Sequence, residues 1–282
     1  MSAPRSTTPL LSGLRFPEGP RWRGDRLWFS DQYGKQVVAV DLAGRAESVV
    51  DVPGQPSGLG WLPDGRLLIV SMCDRKLLCH EGGQLREVAD LSAIATFHAN
   101  DMVVDGAGRA YVGNFGFDLH GGGRYCTTSL ALVHPDGRVR VAADDLAFPN
   151  GSVITPDGGT LIVAETFGAR LTAFDVDSEG ALSNRRLWAK LEGAVPDGIC
   201  LDAEGAIWVA SPVSAEVLRV REGGEVSQRI RVATQAFACM LGGPERRTLF
   251  ICTASDSDPA KAAERSGRIE YVEVEVPGAG LP

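Results

Sequence analysis

Pro196-Asp197-Gly198-Ile199-Cys200-Leu201-Asp202-Ala203-Glu204-Gly205-Ala206-Ile207-Trp208-Val209 is the stretch on which the fold turns. It opens with a tight step, Pro196-Asp197-Gly198. A short apolar run follows, then the turn Asp202-Ala203-Glu204-Gly205, then the hydrophobic strand Ile207-Trp208-Val209. The same order of features is written five more times. The other openings are Glu18 (Pro17-Glu18-Gly19-Pro20), Ser57 (Pro56-Ser57-Gly58-Leu59), Asn100 (Ala99-Asn100-Asp101-Met102), Asn150 (Pro149-Asn150-Gly151-Ser152) and Cys239 (Ala238-Cys239-Met240-Leu241). A hydrophobic strand such as Leu67-Leu68-Ile69-Val70 or Leu161-Ile162-Val163 lies about ten residues beyond each opening. Subtracting successive opener numbers gives spacings of 39 to 50 residues, the period of blade-type repeats. A strand-built repeat that closes into a ring predicts an all-β, six-bladed β-propeller around a central channel. Blades bury their faces only against neighbours, so residues 1–282 are expected to form one domain. The alternating run Gly267-Arg268-Ile269-Glu270-Tyr271-Val272-Glu273-Val274 should complete the last blade. N-terminal and C-terminal strands would then share a sheet, which removes exposed edges.

The ring gives the openers their meaning. Equivalent residues of a propeller stand at equal height around the channel, so Glu18, Ser57, Asn100, Asn150, Asp197 and Cys239 should face one small space. Grouping carboxylates and amides there without Lys or Arg is costly unless a positive charge sits among them. A divalent cation fits. Carboxylate and amide oxygens suit Ca²⁺, Mg²⁺ or Mn²⁺. Because oxygen ligands accept several ions, Zn²⁺ also stays open as a catalytic metal, although the lack of Cys/His clusters disfavours a structural zinc site. A few protein ligands would leave room for water and substrate, and a carboxylate at the edge could take the water's proton.

Other Pro-Asp-Gly tripeptides warn against reading the motif alone. Asp64 and Asp157 sit in the same tripeptide but in the hairpin register, and both are expected to be turns. Asp197 differs because its repeat already has a turn downstream. Asn100 and Asp101 are adjacent and should point to opposite faces. Asn100 holds the ring register, and Asp101 is expected to brace a neighbouring blade. His98 lies two residues before Asn100, so a strand would turn both to the same side. Glu165 is expected to be a packing residue. Cys200 and Cys252 read as buried thiols. Only Asp258 to Arg265 suggests a short helix, and an exposed loop reads equally well there.

Composition excludes several classes. Net charge is −8, which argues against a nucleic-acid partner. No stretch is long or apolar enough to span a membrane, and Met1-Ser2-Ala3-Pro4-Arg5-Ser6 lacks an apolar signal core. The default expectation is therefore a cytoplasmic protein. There is no G-x-S-x-G elbow, no H-E-x-x-H and no P-loop.

The chain resembles the SMP-30/gluconolactonase/luciferin-regenerating-enzyme family, which includes regucalcin and bacterial lactonases. The resemblance rests on Phe16-Pro17-Glu18-Gly19-Pro20, His98-Ala99-Asn100-Asp101-Met102, Phe148-Pro149-Asn150-Gly151, Pro196-Asp197-Gly198 and Ala238-Cys239-Met240-Leu241-Gly242-Gly243. These pieces span almost the whole chain in order. The resemblance implies a six-bladed propeller with one catalytic divalent metal, held by the residues that match Glu18, Asn150 and Asp197. It implies substrate contact by Asn100 and a general-base role for Asp197. Sugar-lactonase members commonly carry Arg at the position of His98, where it contacts sugar hydroxyls. A ring replaces a five-donor fork here. The insertion Asn114-Phe115-Gly116-Phe117-Asp118-Leu119-His120-Gly121-Gly122-Gly123-Arg124-Tyr125 adds aromatics near the channel mouth. Both features point towards a substrate less polar than a sugar lactone.

The expected function is metal-dependent hydrolysis of a small-molecule lactone or related ester. His98 and Asn100 would orient the substrate and Asp197 would remove the proton. A non-catalytic cation-binding or small-molecule-binding propeller is the alternative from another class. An organophosphate hydrolase on the same metal site is a third reading.

Overall fold

The computed structural model describes residues 6–282, so the opening Met1–Arg5 stretch lies outside the described residues. Six four-stranded antiparallel sheets are arranged as the blades of a propeller. Their inner strands are Pro17–Arg23, Pro56–Trp61, Ala99–Val104, Pro149–Ile154, Ile199–Leu201 and Gln235–Gly242. Each inner strand packs on the next around the ring, and the strand of blade 6 packs on that of blade 1. Blade 6 is made of Gln235–Gly242, Thr248–Ala254 and Gly267–Glu273, with Thr8–Leu14 as its outermost strand. The ring therefore closes by joining the two ends of the chain in one sheet. The Thr7 hydroxyl donates to the buried Glu270 carboxylate across that seam.

The sequence dictates this packing in two ways. Alternating apolar residues give each blade two buried faces, as Trp208, Phe250 and Phe29 show between blades 5, 6 and 1. The residue after the opener is glycine in four repeats because inner strands converge closely there. A Cβ at Gly58 would stand 2.4 Å from the Met102 nitrogen, and one at Gly151 would stand 2.6 Å from the Ile199 nitrogen.

The expected short helix is a 3₁₀ segment, Pro259–Glu264, capped by Asp258 accepting from the Ala260 N–H. Cys200 and Cys252 are buried free thiols. A feature not foreseen is the path of residues 275–282. This tail crosses the end of the ring away from the openers, bonding Arg246, Leu201 and Ile154 in blades 6, 5 and 4. Among the described residues no helix is long and apolar enough to cross a membrane.

Candidate functional site

Both the N-terminal ends of the inner strands and the loops after the second strands point at one end of the channel, around a cavity of about 500 Å³. Glu18, Asn100, Asn150 and Asp197 all line it, and so does His98. The five residues singled out from sequence thus share one space. Ser57 stands just behind them: it is buried and its hydroxyl donates to Asn100 Oδ1 at 3.4 Å.

Cys239 does not belong to this set. In blade 1 Pro17 pairs with Asp31, and in blade 4 Pro149 pairs with Glu165. The corresponding pair in blade 6 is Ala236 with Thr253. The opener of blade 6 is therefore Phe237, which lines the cavity and accepts from the Gly198 N–H at 2.8 Å. Cys239, two residues on, is buried in the sheet packing, with its sulfur 3.9 Å from that of Cys200. Blade 6 carries Ala236-Phe237-Ala238 where blades 1, 2, 4 and 5 have Pro and Gly, and it lacks the polar opener that Asn100 supplies in blade 3, so nothing local marks its opener.

Each carboxylate is held by its surroundings. Asp197 precedes its inner strand, and its N–H donates to the Ala210 carbonyl at 3.0 Å. Burial raises the Asp197 carboxyl to about 8, against a hydrogen bond from Asn150 and with help from the charge of Asp101. Burial also raises Glu18 well above its ordinary value, and the neighbouring Asp197 charge raises it further. The Gly19 N–H, donating to Glu18 Oε2 at 3.0 Å, works against that rise. Two carboxyls that each resist ionisation are stabilised as anions by a cation between them.

Asp101 plays a different part. Its carboxylate accepts from Arg21 Nη2 at 2.7 Å, and Arg21 also donates to the Leu59 and Met102 carbonyls. Blades 1, 2 and 3 are tied together by this buried guanidinium, which already satisfies the Asp101 charge. Glu165 likewise is a brace, fully buried and accepting from the Ala147 N–H, Arg170 and Thr172.

Among the described residues no three His, Cys, Asp or Glu side chains gather as a metal-holding group. The set at the channel mouth is instead two carboxylates and an amide, Glu18, Asp197 and Asn150. Asn150 spends its amide nitrogen on Thr166 Oγ1 at 3.2 Å and on Asp197. Its carbonyl oxygen is left as the donor towards a cation. This hard-oxygen set fits a divalent ion in donor chemistry.

Sequence reasoning missed a second ring. The residue two places before each opener also lines the cavity: Phe16, Gln55, His98, Phe148, Val195 and Gln235. Strand alternation brings i and i−2 to the same side, so the repeat register that pointed to His98 could also have found Phe16, Gln55, Phe148 and Val195, but not Gln235, whose opener it misplaced. His98 is stacked on Phe97 at 4.1 Å and meets Phe115 edge-on at 5.8 Å. Burial lowers its pKa, which favours the neutral ring. The 114–125 insertion lies at the mouth, where Phe115, Leu119 and His120 line the cavity and Phe117 packs on Phe148.

Comparison with known proteins agrees with this architecture. A 6-deoxy-6-sulfogluconolactonase of Pseudomonas putida is 27% identical over 94% of this chain and 93% of its own length. A pentonolactonase of Haloferax volcanii is 28% identical over 90% of this chain and 86% of its own. A regucalcin from Agrobacterium tumefaciens, described as a calcium-binding protein, superposes with a TM-score of 0.79 at 24% identity, covering 99% of this chain and 96% of that one. That likeness speaks for the fold. Residues 16–255 match the SMP-30/gluconolactonase/LRE-like region, and the chain belongs to that family.

Proposed function

We propose that this protein is a metal-dependent hydrolase that opens a lactone or a related carboxylic ester. The observation that carries the reading is the pairing of a half-buried carboxyl, Glu18, and a buried one, Asp197, with the amides of Asn100 and Asn150 in one cavity. Membership of a family that includes gluconolactonases supports it. Glu18, Asn150 and Asp197 are the residues that would hold the cation. A divalent cation, when bound, supplies a Lewis acid for the substrate carbonyl and favours ionisation of water.

The remaining work falls to the chain. Asp197, at the edge of the set, takes the proton of the attacking water. It accepts that proton as the anion, the form that a neighbouring cation favours. Asn100, positioned by the Ser57 hydroxyl, offers an amide to the substrate. His98 presents a neutral imidazole beside it.

The test combines metal analysis of purified protein with hydrolysis of a panel of lactones, aryl esters and organophosphates, with and without chelator. Lactone or ester hydrolysis that chelation abolishes and a divalent metal restores is the expected result. A stoichiometric metal with no turnover of any panel member would leave a cation-binding propeller and overturn the hydrolase reading. Turnover confined to the organophosphates would assign the same residues to phosphoester chemistry.

A further inference from the structure

The lining beyond the carboxylates carries no fixed charge and is apolar on one side. Among the described residues no Lys or Arg side chain lines the cavity, and an anionic substrate needs a fixed cation. The polar side chains Gln32, Tyr33, Gln55 and Gln235 stand on blades 1, 2 and 6. Blades 3 and 4 offer instead a continuous aromatic face. Phe115 packs on Phe148 at 4.6 Å, Phe148 on Phe167 at 5.3 Å, and Tyr125 stacks on Phe167 at 5.6 Å.

Phe148 adopts the left-handed region at φ 65, as Gln55 does at the equivalent place in blade 2 at φ 68, so that conformation belongs to the blade turn. Exposure at the rim is what points to a ligand for this face. At the rim, Phe167 is 49% exposed and Val213 is 69% exposed. Large apolar side chains kept in water beside a cavity mark the path of an apolar ligand.

We infer that the substrate is a neutral lactone or ester bearing an apolar ring or chain, seated on Phe115, Phe148 and Phe167. Lactones that carry a sulfonate, phosphate or carboxylate are rejected. The inference rests on the lactone-hydrolase reading for its reacting group and on the lining alone for its specificity.

The experiment compares kcat/KM of the metal-loaded protein for a phenyl-substituted δ-lactone, gluconolactone and a sulfonated gluconolactone. The phenyl lactone is expected to lead by ~10-fold or more, the range that a hydrophobic pocket yields per apolar group. Phe115→Ala should lower kcat/KM for the phenyl lactone about 10-fold, mostly through KM, and by a larger factor than for gluconolactone. Phe115→Leu, which keeps the loop packed, should recover part of that loss. His98→Arg should move the ratio towards gluconolactone and the sulfonated lactone. A wild-type preference for either polar lactone overturns the inference. Calorimetric binding of the matching non-hydrolysable cyclic ethers separates the two readings. If no lactone is turned over but the phenyl ether binds and the sulfonated ether does not, the hydrolase reading fails and the specificity stands. Equal or tighter binding of the sulfonated ether overturns the specificity directly.

Discussion

Pro156-Asp157-Gly158 and Pro196-Asp197-Gly198 are the same three residues in adjacent blades, and they do opposite things. Asp157 ends the inner strand of blade 4 in an exposed hairpin. Its Oδ1 accepts from the Thr155 hydroxyl at 2.6 Å and from the Gly159 N–H at 3.0 Å. The Thr155 bond first, and the Gly159 bond next, pull its carboxyl below the ordinary range. Asp197 lies just before the inner strand of blade 5 and is 9% exposed. Burial pushes its carboxyl the other way. Residue type is identical, so the difference comes from which end of the inner strand the tripeptide occupies. One end faces solvent as a turn, while the other converges with Glu18, Asn100, Asn150 and Phe237 on a shared cavity. In a repeat protein the register, more than the motif, sets the chemistry.

The sharpest way to break that comparison is to make the same substitution in both tripeptides. Asp197→Asn keeps size and one oxygen but removes the base. It is expected to lower kcat by about 10²–10⁴-fold on the best substrate. Asp157→Asn is expected to leave kcat within about 2-fold, as surface changes away from the chemistry do. Equal rates for wild type and Asp197→Asn at saturating substrate and metal would remove Asp197 from the base role.

Metal affinity gives the next largest effect. Glu18→Gln removes one of the two charges without changing shape. The loss of cation affinity, read by calorimetric titration into chelator-stripped protein, should at least match the roughly 10–100-fold that loss of an outer-shell partner costs. Asp157→Asn should leave the titration unchanged. Unaltered affinity in Glu18→Gln would place the cation elsewhere.

The two aspartates should also respond to pH with opposite signs. In metal-free protein the folded Asp197 holds its proton up to about 8, whereas an unfolded Asp releases it near 3.9. Between those values the folded state binds more protons, so this group's contribution to stability falls as pH rises. Asp157, with its carboxyl lowered, contributes above the unfolded value and loses that contribution as pH falls. The Tm of chelated Asp197→Asn should therefore exceed that of chelated wild type by a margin that widens from pH 4 to pH 8. Saturating divalent metal should raise the wild-type Tm most at the upper end of that range. A margin independent of pH would show that Asp197 is not held protonated.

Much of this was legible before any coordinates, and the reason is the repeat. Pro and Gly around Glu18, Ser57, Asn150 and Asp197 are there because inner strands start and converge at those points, so local punctuation and ring geometry carry the same information. Blade 6 shows the limit. Phe237 lies between Ala236 and Ala238, which mark nothing, and Cys239 was the more chemical residue nearby. Only the pairing of Ala236 with Thr253 corrects the register. The aromatic face was half legible. Phe115 and Phe117 stood out within a long insertion, but Phe148 and Phe167 come from another blade and meet them only in three dimensions. The tail over the far end of the ring was not legible, because its contacts to Leu201 and Ile154 are long-range backbone bonds that depend on no side-chain pattern.

The smallest effect completes the comparison. Asp157→Ala removes the acceptor for the Thr155 hydroxyl and the Gly159 N–H in an exposed hairpin. Water can replace both partners, and Gly158 still supplies the left-handed turn residue at φ 73. A Tm decrease of no more than about 2–4 °C is expected, with kcat and metal affinity unchanged. Asp64→Ala should behave alike, since Asp64 is an exposed turn residue accepting from the Arg66 backbone at 3.1 Å. A large loss of activity in either turn variant would mean that the hairpin end of the inner strands communicates with the cavity, and register alone would no longer separate Asp157 from Asp197.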